Sequence, residues 1–138
     1  MKSKKVYIYT DGGSRGNPGP SGIGVVILDS NKTKIKEVFK YIGEATNNVA
    51  EYSALVCGLQ EANSLGATDL TIYIDSELLV KQLSGEYKVK DANMRTLFEK
   101  SLAELKNFSS FEVKHIERRM NKEADKLVNK AINLAGLF

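Results

Sequence analysis

Val6, Tyr7, Ile8, Tyr9 and Thr10 form a β-branched and aromatic run that predicts a strand, ended by the turn residues Asp11, Gly12 and Gly13. Apolar or aromatic on both faces, it belongs in the interior of a sheet. Residues 12–22 carry both prolines and several glycines and predict a loop, while apolar runs at 23–28 and 35–42 predict two further strands around Asp29, Ser30 and Asn31. Three strands with short connections imply an antiparallel meander.

From Asn48 the period becomes helical. Ala54, Leu55, Gly58, Leu59, Ala62 and Leu65 share a stripe, and Gly66 supplies a C-terminal stop. Residues 70–74 predict a buried strand ending at Asp75, and 76–83 a short helix closed near Gly85. Strand, helix and strand in that order imply a parallel crossover. Met94, Leu97, Phe98, Leu102 and Leu105 mark an amphipathic helix, and 111–116 a last strand. Asn121 then caps a helix with Ala124, Leu127, Val128, Ala131 and Ala135 on one face. The predicted order is βββαβααβα, an α/β arrangement, and 138 residues suit a single domain spanning 1–138.

Composition narrows the function classes. Hydrophobic residues make up 42%, enough for a core without covalent staples. One cysteine, Cys57, and one histidine leave no intramolecular disulfide and no zinc-finger cluster. Twenty Lys and Arg against 17 Asp and Glu give a net charge of +3, so a polyanionic partner would have to be gripped locally. No run approaches the ~20 apolar residues of a membrane span, and the basic opening leads into only a few apolar residues. A soluble, cytoplasmic monomer without membrane association is expected.

Four acids stand out. Asp11 and Asp75 each follow a predicted strand, at the sheet edge where ligands bind when neighbouring strands are parallel. Glu51 and Asp125 each lie near a predicted helix start, beside its apolar stripe. Each alone is an ordinary turn, cap or dipole-compensating residue. Converging on one edge, they would repel by several kcal/mol unless a divalent cation lay among them. Oxygen ligands without cysteine suit hard ions such as Mg²⁺, and two ions ~4 Å apart can clamp the attacking and leaving oxygens of a phosphodiester displacement.

Thr10-Asp11-Gly12-Gly13, Gly16-Asn17-Pro18-Gly19-Pro20, Thr46-Asn47-Asn48 with Glu51, Ile74-Asp75-Ser76, and Asn121 with Ala124-Asp125 resemble, in order, the motifs of the type 1 ribonuclease H family. The resemblance spans residues 5 to about 135. It implies a ribonuclease H-like fold, a five-stranded mixed sheet with helices on both faces. It also implies Mg²⁺-dependent hydrolysis of the RNA strand of RNA–DNA hybrids, leaving 5′-phosphate and 3′-hydroxyl ends. By motif position Asp11, Glu51, Asp75 and Asp125 match the family's metal-binding carboxylates, holding two Mg²⁺ with Mn²⁺ as a substitute. Asn17 and Asn47 match positions that read the RNA strand, Thr46 and Asn48 a DNA-phosphate pocket, and Ser76 and the glycines Gly12 and Gly13 join them as substrate-binding candidates. His115, ten residues before Asp125, matches in spacing a histidine used in proton transfer or product release, although the glycine-rich loop of those members is missing. Arg118 or Arg119 is an alternative, as a phosphate contact, with Arg118 the candidate site residue. The segment after Asp75 has no room for the family's cationic handle helix and resembles the short branch found in archaea and some bacteria. RNA duplexes are a further candidate partner.

The glycine-rich segment has no Gly-Lys-Ser/Thr, so a nucleotide cofactor is not expected; Gly12, Gly13 and Gly16 read instead as room for a polyanionic backbone to approach the sheet. Phosphate contacts are expected from Lys81, Lys88, Lys90 and residues 114–130. A non-catalytic hybrid-binding module, half of an actin-like phosphotransferase and a DNA strand-transfer nuclease are the rival readings. The second needs another domain, and Asn17 with Thr46-Asn47-Asn48 argues against the third.

Overall fold

The computed structural model describes residues 2–137; Met1 and Phe138, the ends of the expected domain, lie outside them. Strands β1 (Lys5–Ser14), β2 (Gly19–Leu28) and β3 (Lys34–Ala45) are followed by α1 (Asn47–Ser64), β4 (Asp69–Ile74), α2 (Glu77–Leu83), α3 (Ala92–Leu105), β5 (Ser110–His115) and α4 (Lys122–Ala135). The strands lie in the order β3-β2-β1-β4-β5. The first three form the antiparallel meander, and β1–β4 and β4–β5 pair in parallel. Only α2 and α3 separate β4 from β5, so the handle helix is absent there.

Alternation along β1 sends Val6 and Ile8 into a core shared with Val25 and Ile27 of β2 and Leu70, Ile72 and Ile74 of β4. Each such side chain contributes about 1.5–3 kcal/mol by leaving water. Helix α1 lies against this face and is covered from outside by α3, which explains why its buried residues, from Ala50 to Ala62, run around it rather than along one stripe. Its Tyr52 is wholly buried, donates to Gln82 Oε1 at 2.6 Å, and meets Phe98 edge-on. Helix α4 packs on the opposite face over β2 and β3. It sits so close that a Cβ on Gly24 would lie 2.3 Å from the Ala124 carbonyl oxygen.

Three expectations are corrected. The segment 12–22 is mostly hairpin: Gly12 pairs with Ile23, Gly13 with Gly22 and Ser14 with Ser21, leaving only 15–18 as the loop. Its glycines mark helix contacts on a ladder rather than a break in it. Leu102 stands exposed beside Val80, Leu83 and Phe111, because α3 buries the face carrying Met94, Ser101 and Leu105. Asn121 occupies the position before α4, but its side chain makes no capping hydrogen bond. No described helix is long and apolar enough to cross a membrane.

Candidate active site

The parallel pairing of β1 with β4 ends at Thr10 and Ile74, so the next residue on each strand, Asp11 and Asp75, emerges at one shared edge. Helix α1 crosses this edge with Glu51 on its fifth residue, beyond the first turn, so dipole compensation does not account for it. One carboxylate oxygen from each of Asp11, Glu51 and Asp75 lies within 4.8 Å of the others. Asp11 is buried, at 5% exposure, and the other two are half-buried. Glu51 Oε1 accepts the Gly12 backbone N–H at 2.7 Å, tying the second acid to the residue after the first. Asp75 Oδ2 accepts Asn121 Nδ2–H at 3.0 Å. Asp125 and Arg118 line the same cavity of about 400 Å³, open to solvent.

Two carboxylates this close repel by about 3–4 kcal/mol at an effective dielectric of ~20. Burial, then Glu51 and Asp75, push the Asp11 carboxyl up to about 9; burial, then Asp75, push Glu51 up to about 7, against the Gly12 N–H and the Arg118 charge that favour its ionised form. Without a cation the pair retains a proton near neutrality. A hard divalent cation would displace it and neutralise the cluster, and the all-oxygen donor set, with no cysteine or histidine in it, fits such an ion.

The profile of the reverse transcriptase-like family matches residues 9–131. The structure of ribonuclease H1 from Halobacterium salinarum superposes with a TM-score of 0.91 at 37% identity, over 94% of this chain and 98% of that one. The chain belongs to the ribonuclease H family. LC11 ribonuclease H1, a family member solved in complex with an RNA/DNA hybrid, superposes with a TM-score of 0.89 at 44% identity, over 94% of this chain and 98% of that one. A bifunctional protein of Mycobacterium tuberculosis is 43% identical over 132 residues, 95% of this chain but 36% of its own length. The chain thus spans about a third of that relative.

Around this cavity the residues expected to bind substrate divide. Gly12, Gly13, Asn47, Asn48 and Ser76 line the cavity with the acids. Asn17 and Thr46 flank it. Asn17 Oδ1 accepts the Asn47 N–H at 3.0 Å and Asn47 Oδ1 accepts the Ser14 N–H at 2.8 Å, lacing the hairpin loop to the start of α1. Both Nδ2 groups are left without a protein acceptor among the described residues. Thr46 caps α1 by accepting the Val49 N–H, and Ser76 caps α2 by accepting the Leu79 N–H.

The reading of Gly12 as room for a polyanion is corrected. Its missing Cβ would collide with the α1 backbone, 2.2 Å from the carbonyl carbon and oxygen of Ala50. Gly13 faces Val128 of α4, and Gly16 is needed for a left-handed turn at φ 87°. His115 ends β5, exposed and outside the cavity lining; its charged neighbour is Glu77, whose carboxyl is held below its usual range first by Lys81 and less by His115. Lys81 and Lys114 pair with Glu77 and Glu112, whereas Lys88, Lys90, Lys122, Lys126 and Arg118 have no carboxylate within salt-bridge distance among the described residues. Arg15 and Asn129 also line the cavity, joined by a 3.2 Å hydrogen bond, and were not singled out from the sequence. Asn129 lies one helical turn after Asp125, a spacing that would have found it.

Proposed function

We propose that this chain is a monomeric endonuclease that hydrolyses the RNA strand of RNA–DNA hybrids, leaving 5′-phosphate and 3′-hydroxyl ends. Asp11, Glu51, Asp75 and Asp125 would hold two Mg²⁺, with Mn²⁺ able to substitute. The observation that carries this reading is the mutual approach of three acids, one in β1, one in α1 and one directly after β4, in the lining of an open cavity. Membership of the ribonuclease H family and the hybrid-bound LC11 relative support it.

When bound, the dications supply Lewis acidity toward water and toward the leaving oxygen of the phosphodiester. The residues of the chain do the rest. Gly12 N–H holds Glu51 Oε1 against the residue that follows Asp11. Arg118, without a carboxylate within salt-bridge distance among the described residues, offers its guanidinium to a phosphate at the cavity wall. The spare amide donors of Asn17 and Asn47 are suited to the 2′-hydroxyls and backbone oxygens that distinguish an RNA strand.

A hybrid labelled separately on each strand tests the proposal. In Mg²⁺ or Mn²⁺ the RNA strand alone is expected to be cut internally, and EDTA to abolish cutting; DNA duplex should stay intact, with RNA duplex as a parallel arm. Cleavage of the DNA strand, or hybrid binding without cleavage in either metal, would contradict it.

A further inference from the structure

Asn121, 1% exposed, is the most buried polar side chain in contact with the acidic cluster. Its Nδ2 donates to the Thr10 carbonyl at 2.8 Å and to Asp75 Oδ2 at 3.0 Å. Both acceptors are oxygens, so the amide cannot be turned over without setting Oδ1 against them. Oδ1 is consequently buried with no hydrogen-bond partner. Buried polar atoms are nearly always paired, and an exception calls for a compensating role.

The helix contributes a second anomaly. An asparagine before a helix ordinarily turns its side-chain oxygen onto a first-turn N–H from an extended backbone. Here the backbone lies at φ −114°, ψ 28°, and no such bond forms. The capping contact is given up and the amide points at Asp75 instead. Meanwhile the Asn121 carbonyl accepts the Asp125 N–H at 3.1 Å, and Thr10 immediately precedes Asp11. One residue therefore touches the Asp75 carboxylate, the backbone beside Asp11 and the helical turn that carries Asp125.

We propose that Asn121 is a positioning residue for the carboxylate cluster, holding Asp75 in a fixed rotation relative to Asp11 so that an incoming dication meets preset oxygens. A neutral donor is suited to this, since it orients a carboxylate without the competing positive charge a lysine would add. The role rests on the reading that these acids bind a dication.

Calorimetric titration of Mn²⁺ into the metal-free chain, with melting curves of the same samples, tests it. Asn121→Ala and Asn121→Ser, the second keeping a helix-starting residue with too short a reach, are expected to weaken Mn²⁺ about 10–100-fold. Hybrid kcat should fall with KM little changed, because the substrate-binding groups are untouched. Gln82→Met is the control: it removes the partner of Tyr52 in the core, lowering melting temperature without altering Mn²⁺ affinity. Unchanged Mn²⁺ affinity in both Asn121 variants would overturn the positioning role alone. Failure of both to melt cooperatively would overturn it in favour of a purely structural one. Wild-type protein that bound no Mn²⁺ would overturn the metal reading and this proposal together.

Discussion

Asp11→Asn is expected to lower cleavage of the RNA strand by roughly 10³-fold or more while raising the melting temperature of the metal-free protein above pH 7. The two effects share one cause. Asp11 is the most buried of the three clustered acids, and its carboxyl is pushed from 3.8 up to about 9 by burial and by Glu51 and Asp75. A carboxyl raised in this way holds its proton more tightly in the folded chain than in the unfolded one. Folding is therefore favoured at low pH, and that advantage is lost as pH climbs from about 4 through 9. Glu51, raised to about 7, adds to the loss in the lower part of the window. The neutral amide removes the largest contribution and with it the charge that draws a dication. Melting curves from pH 5 to 9 should fall in EDTA for the wild type and be restored by Mg²⁺. The variant should give a flatter curve that barely responds to the metal. Substantial Mg²⁺-dependent cleavage by Asp11→Asn would contradict the assignment.

Gly12→Ala is expected to cost about 3 kcal/mol or more of stability and most of the activity. The added Cβ would lie 2.2 Å from the Ala50 carbonyl carbon and oxygen and 2.5 Å from the Glu51 nitrogen. These are backbone atoms of α1 and cannot swing aside as a side chain would. Relief requires prising α1 from β1, which also lengthens the Gly12 N–H bond to Glu51 and misplaces that carboxylate. Gly13→Ala meets only Val128 Cγ1 at 3.3 Å and should stay within about 1 kcal/mol. Urea unfolding of both variants measures the difference, with an unchanged m-value showing that stability rather than the denatured state has shifted. Equal costs at the two glycines would contradict the account.

The order of elements was legible in the sequence because the periods are clean: β1 is apolar on both faces and lies at the centre of the sheet, as its pattern requires. Asp11 and Asp75 were legible as a pair because each directly follows the last residue of the β1–β4 parallel pairing. The ends of the hairpin were not. Glycine and proline signal turns locally, but Gly12, Gly22 and Gly24 are in the ladder because α1 and α4 press against it, a requirement set by chain segments far away. Asn121 does stand at the N-cap position of α4, but the direction of its side chain was not legible for a related reason. Its residue type and place fit an N-cap, and only the fold shows the Thr10 carbonyl and Asp75 competing for its amide. His115 had a matching spacing, and the fold places it at the exposed end of an edge strand, paired with Ile74, the residue before Asp75, a position that spacing alone does not give.

Whether Asp11, Glu51 and Asp75 gather their charge around dications is decided by anomalous diffraction from a crystal soaked in Mn²⁺. Anomalous peaks are expected within bonding distance of oxygens from all three residues, and none there in Asp11→Asn. Wild-type density with the carboxylates together but no peak among them, or with the three carboxylates apart, would contradict that expectation.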